Sequence, residues 1–170
     1  MINSQINILV QAKTYLKGVT SEQYCEVVRP LFMSSAGAHM RHILDHYLSI
    51  MNGLDNALVD YDKRSRGGEI ETDPVMALDV ISKIESFLLS LSAAQLSRTI
   101  KLSTEVCVER KLVEIVDTTV ARELVFAGSH AIHHFAMIEQ ISKAQKLPTP
   151  EQFGIAPATA TFMRDTACAR

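Results

Sequence analysis

The stretch DTTVARELVFAGSHAIHHFAMIEQISKAQKL, residues 117–147, reads as one long amphipathic helix. Asp117 to Thr119 supply a polar cap at its start, and Pro148 stops it. An advance of about 100° per residue puts His130 and His134 about 40° apart on the helix surface. Phe126, Ala127, Met137, Ile138 and Ile141 surround both, so the pair lies in the middle of the apolar stripe. Two neutral imidazoles buried side by side need separate hydrogen-bond partners. An i, i+4 pair can instead present two ring nitrogens to one ion, the logic of helical zinc sites. His133 falls nearer the stripe's edge and reads as a rim residue.

The other three histidines lie in SAGAHMRHILDHYLSI, residues 35–50, so all six of the chain fall in two windows. Ser34 or Ser35 can cap this second helix. Its apolar stripe is Met40, Ile43, Leu44, Tyr47, Met51 and Leu54. His39, His42 and His46 flank one edge of that stripe, and the wheel puts His39 and His46 closer to it than His42. The spacing supports one ligand from this helix and leaves open which residue it is. The bland alternative is a set of hydrogen-bonded core histidines. The clustering of all six favours a metal site.

Outward from these windows the pattern stays helical. Residues 3–17 carry Ile6, Leu9, Val10, Tyr15 and Leu16 at helical spacing, and Gly18 ends them. TSEQYCEVV reads as a short helix capped by Thr20 or Ser21, and Pro30 breaks the chain after it. DPVMALDVISKIESFLLSL is a further amphipathic helix. DYDKRSRGGEIETDP, residues 60–74, is a polar loop, long for a compact domain. RTIKLSTEV and RKLVEIV, within residues 98–117, alternate with period two and predict a small β-hairpin. The tail is loop-like, with a short helix after Pro157. No repeat, low-complexity run or linker appears, so residues 1–170 form a single domain. Four long helices predict an antiparallel bundle.

The composition excludes several functions. Apolar residues are 47% of the chain, charged residues 21%, and the net charge is -2. With no basic stripe, nucleic-acid binding lacks electrostatic support. No apolar run approaches the roughly 20 residues of a membrane helix, and the first residues do not form a signal peptide. Cys25, Cys107 and Cys168 are scattered and odd in number, which suits a reducing cytoplasm. Cys168 reads as an incidental thiol.

The segment SSAGAHMRHILDHY resembles the serine-to-histidine helix start and the His-x-x-Asp step of the DinB/YfiT-like superfamily of four-helix-bundle metalloproteins. SHAIHHFAMI resembles that family's His-x-x-x-His helix. The likeness of layout covers nearly the whole chain. It implies an all-α, up-down-down-up four-helix bundle with the β-hairpin as an insertion. It also implies a metal held by His42, three residues before Asp45, together with His130 and His134. This choice of His42 departs from the helical wheel. Three imidazoles leave coordination positions open, as catalytic sites do. Zinc or nickel suits such donors, and iron or manganese would fit if a carboxylate joined.

The family further suggests a thiol S-transferase acting on a small electrophilic substrate with a low-molecular-weight thiol. A metal-dependent hydrolase and a non-enzymatic, stress-related metal-binding or partner-binding protein are the rival readings. Pairing of two copies as a homodimer also fits the family. Glu123, two turns before His130, is read as a partner or fourth ligand of the metal, a general base, or a first-turn acid suited to the helix dipole. Arg41, Arg122, Arg64 and Arg66 either pair with acids or bind an anionic substrate.

Overall fold

A computed structural model describes residues 1–63 and 67–168. The readings of Arg64 and Arg66, and of the Cys168 side chain, fall outside what is described. Four long helices carry the core: α1 (Ile2–Leu16), α3 (Ala36–Gly53), α4 (Pro74–Ser90) and α6 (Val120–Ala144). Three shorter ones complete the set: α2 (Ser21–Cys25), α5 (Ala93–Ser97) and α7 (Pro157–Cys168). α1 packs on α4 and α6, and α3 packs on the same two, so α1 and α3 stand diagonally across the bundle. The fold is a helical bundle with a small β insertion. None of the described helices is long and apolar enough to cross a membrane.

Local chemistry sets the helix starts. Thr20, Ser35, Asp73, Ser92 and Thr119 each cap a helix by accepting a backbone N–H with the side chain. Pro74 follows its cap at the first helical position, where its missing N–H costs nothing. The apolar stripes then meet in one core. Leu9, Tyr15, Met40, Leu44, Ile81, Leu124 and Ile138 are all buried there.

The hairpin of residues 98–117 is present as β2 (Thr99–Glu105) and β3 (Val113–Thr119), paired antiparallel. A third strand was not foreseen: β1 (Leu58–Asp60) runs parallel to β2 and makes the sheet three-stranded, in order β1-β2-β3. Three residues are too few to show a period, and their partner lies far along the chain. This strand begins soon after α3 and carries the chain to Tyr61 beside the histidines. The short helix α5 was likewise not foreseen.

The start of α3 is held close to the turn Glu69–Glu71. The Tyr24 hydroxyl donates to the Ile70 carbonyl at 2.8 Å. A Cβ on Gly37 would run into the Glu71 carbonyl and come within 3.0 Å of the Tyr24 ring. Gly37→Ala is therefore expected to destabilise the protein by about 1–3 kcal/mol, the usual cost of forcing atoms into a packed site. Gly68→Ala meets nothing within 4 Å and serves as the control. Urea denaturation of the two variants checks this, and equal midpoints would refute the close approach.

Candidate metal centre

α3 and α6 lie side by side, and five of the six histidines meet between them. The His42 Nε2 lies 2.9 Å from the His130 Nε2. The His134 Nε2 lies 3.1 Å from the same atom. On its other side, the His134 Nδ1 is 2.8 Å from the His39 Nδ1. The His46 ring stands 4.3 Å from that of His130 and 4.7 Å from that of His42. His42, His46 and His130 each offer a ring nitrogen within 4.8 Å of the other two, which makes them a three-histidine group able to hold a metal ion. His133 is exposed on the rim, as its place at the edge of the stripe suggested.

The donor set fits a divalent transition metal. A ring nitrogen of a neutral imidazole carries either one proton or one lone pair. The His42 and His134 nitrogens therefore compete for the single in-plane position of the His130 Nε2. A cation between them would use all three lone pairs at once. Zinc–nitrogen bonds of about 2.0–2.1 Å imply nitrogen–nitrogen edges of roughly 3.3 Å in a tetrahedron. The observed 2.9 and 3.1 Å are near that value. Imidazole nitrogen suits zinc, nickel, copper and iron better than magnesium or calcium.

The electrostatics favour the neutral, ligating form. Burial first, and then the neighbouring His130 and His39, lower the His134 pKa to about 3. Burial, with His133 nearby, lowers that of His39. Unfolded histidine titrates near 6.5. Below that pH the unfolded chain takes up protons that folded His134 refuses, so folding stability is present above about 6.5 and is lost as pH falls toward about 3. The metal-free protein is expected to show a urea midpoint that declines between about pH 7 and about pH 5. His134→Gln should flatten that decline. A profile unchanged by the substitution would count against the depressed value.

The surrounding wall answers the reading of Glu123. This carboxylate is fully buried. Tyr61 donates to its Oε2 at 2.7 Å, and Thr118 and Arg122 donate to its Oε1 at 2.6 and 2.9 Å. Those bonds tie Glu123 to the sheet and the helix start. Its link to the histidines runs through the Tyr61 ring, 4.8 Å from that of His46. Burial, with Glu123 beside it, holds the Tyr61 phenol above its ordinary pKa, so it remains a donor. Phe126 stacks on His130 at 5.6 Å and closes the apolar side. Tyr61 carries no signal in the sequence, because only the strand after α3 brings it here.

Arg41 and Arg122 are engaged by acids. Arg41 donates to Asp45 and Glu71, both at 2.8 Å. Arg122 pairs with Glu123 and lies over the Phe126 ring, 5.3 Å from its centroid.

Comparison with known proteins places the fold. No family model matches the chain. A DinB-like protein of Bacillus subtilis superposes with a TM-score of 0.66 at 17% identity, over 89% of this chain and 96% of its own. A DinB-like protein of Bacillus cereus gives 0.59 at 14% identity, over 87% and 92%. At these identities the likeness is one of fold, and the chain has the DinB-like fold. In sequence, the chain is 32% identical over 102 residues to FK506-binding protein 5 of Rhizopus delemar. That match takes in 60% of this chain but only 26% of the fungal protein, so the chain spans about a quarter of this curated relative.

Proposed function

On a DinB-like fold with histidines converging between two helices, we propose that the chain binds one divalent transition metal through His42, His130 and His134. We read its activity as transfer of a low-molecular-weight thiol to a small electrophilic substrate. The observation that carries this is the crowding of the His130 Nε2 by two other ring nitrogens, the His42 Nε2 at 2.9 Å and the His134 Nε2 at 3.1 Å. Zinc or nickel is the expected ion from the donor set.

A bound divalent ion supplies Lewis acidity, holding a thiol as its thiolate at neutral pH. The protein's own residues do the rest. His130 and His134, one turn apart, fix two donor directions on a rigid helix. His42 closes the set from the facing helix. Phe126 and Tyr61 lie against one side of the cluster, on the His130 and His46 rings. His42, His130 and His134 are only partly buried, which leaves a small ligand an approach. A reducing cytoplasm suits this reading, since free thiols persist there.

Cobalt substitution tests it. Adding a thiol such as cysteine or glutathione to the cobalt-loaded protein is expected to produce new charge-transfer absorption that saturates with thiol. No thiol effect, together with ester or phosphate hydrolysis that follows metal content, would move the reading to activation of water.

A further inference from the structure

Across α6 from the histidine cluster lies a cavity of about 500 Å³. Gly128, Ile132 and Ala136 recur every four residues along α6 and line it, with Gln5 and Ile8 of α1. At about 100° per residue, Ile132 stands about 200° round the helix from His130, so this lining faces away from the metal centre. Ser4, Ser129 and His133 stand exposed at its rim.

Gln5 is the polar group that the fold places here with care. It is 5% exposed, and its Oε1 accepts from the Tyr47 hydroxyl at 2.8 Å. Tyr47 is fully within the core, and burial holds its phenol above its ordinary pKa. That phenol therefore keeps a proton that needs an acceptor. The bond orients the amide: Oε1 is taken by Tyr47, and Nε2 is the end left over. Among the described residues nothing accepts from that Nε2. A buried N–H without an acceptor is costly. Gly128 makes room for the same amide. A Cβ there would stand 2.7 Å from the Gln5 Oε1 and 2.9 Å from its Nε2. Glycine is a poor helix former, and at this position any side chain would press on Gln5.

We propose that this cavity binds a small, largely apolar, uncharged molecule whose carbonyl oxygen accepts from the Gln5 Nε2. Among the described residues no lysine or arginine lines it to neutralise an anion, and no aspartate or glutamate to neutralise a cation. Its volume is that of a small-molecule site, and such sites set a few oriented polar groups among apolar walls. The amide supplies the selection. A carbonyl compound satisfies the buried donor, and a hydrocarbon of the same shape leaves it without a partner.

Cyclohexanone and methylenecyclohexane share a shape and differ in the carbonyl. In proton–nitrogen NMR spectra of the full chain, cyclohexanone is expected to move the Gln5 side-chain amide protons downfield and to saturate. The backbone signals of Gly128 and Ile132 should move with them. Gln5→Met combined with Tyr47→Phe removes the donor without orphaning the phenol. This double variant is expected to bind cyclohexanone roughly tenfold more weakly and methylenecyclohexane no more weakly than the wild type does. Gln5 amide protons unmoved by cyclohexanone would overturn the proposal, as would an equal loss of both compounds in the double variant. A wild-type dimer that Ser129→Arg dissociates would assign the cavity to a second copy and overturn it too. The wild-type Gln5 signal decides the question even if the double variant does not fold.

Discussion

Replacing His130 and His134 together with alanine is expected to take the protein from about one transition metal ion per chain to none. His130 is the hub of the cluster. Its Nε2 has the His42 and His134 nitrogens at 2.9 and 3.1 Å, and its ring touches those of His46 and Phe126. Removing it together with His134 takes away both α6 rings whose nitrogens stand against those of α3. Elemental analysis of untagged protein, loaded with zinc or nickel and then dialysed, reads the result. A second readout comes from linkage. An ion that binds only the folded chain stabilises it by about 2.7 kcal/mol at a hundredfold excess over Kd. For a domain of this size that corresponds to roughly 5–11 °C in Tm. The wild type should show this rise and the double variant should not. Circular dichroism should show the helices intact, because α6 keeps its buried stripe of Leu124, Ala127, Ala131, Phe135, Ile138 and Ile141. Equal metal content in both proteins would place the ion elsewhere. No metal in either, after incubation with both ions, would make the cluster a hydrogen-bonded structural feature.

Phe135→Ala is expected to cost about 3–5 kcal/mol of folding free energy, the range for deleting a buried phenylalanine ring. Phe135 is fully buried and stacks on Phe153 at 4.5 Å, and Phe153 stacks on Tyr15 at 5.4 Å. This column of three rings ties α6 and α1 to the turn that follows α6. The same turn places Gly154 at φ +76°, a conformation open to glycine, where an added Cβ would come within 2.5 Å of the Ala136 backbone nitrogen. Truncation at Phe135 therefore opens a cavity and also loosens the turn. Chemical denaturation should show a large fall in midpoint. Phe162→Ala, on an exposed part of α7, should change stability by no more than about 0.5 kcal/mol. A loss below about 1 kcal/mol at Phe135 would mean that the turn does not pack on the bundle. The two experiments are separable, since the Phe135 ring is buried in the core and the neighbouring His134 ring stands among the other histidines.

Much of this was legible in the amino-acid order. The long helices follow from apolar residues recurring at helical spacing, and their starts from Ser35, Asp73 and Thr119. The hairpin follows from the alternation around Lys101 and Val113. The His130 and His134 pairing needs only the geometry of one helix, because a four-residue step always shares a face. Other features were out of reach. β1 has three residues and pairs with a strand more than forty residues on, so no local pattern marks it. Glu123 reads as a first-turn acid, and full burial beneath Tyr61 and Thr118 is visible only in three dimensions.

The part played by α3 shows where the boundary falls. Its helical wheel ranks His39, His42 and His46 by angle about one axis. That angle holds no information on how α3 is rotated and shifted against α6. Packing decided it: His42 meets the His130 Nε2, His39 meets the far side of His134, and His46 turns its ring onto His130. The sequence by itself determined a helical bundle, a hairpin and one i, i+4 histidine pair, because these depend on contacts within a few residues. The tertiary structure alone decided which histidines of α3 join that pair and that Tyr61 and Glu123 stand behind them. Those contacts join residues as much as 95 positions apart, and the fit of two whole helix surfaces, summed over many small packing terms, sets their register.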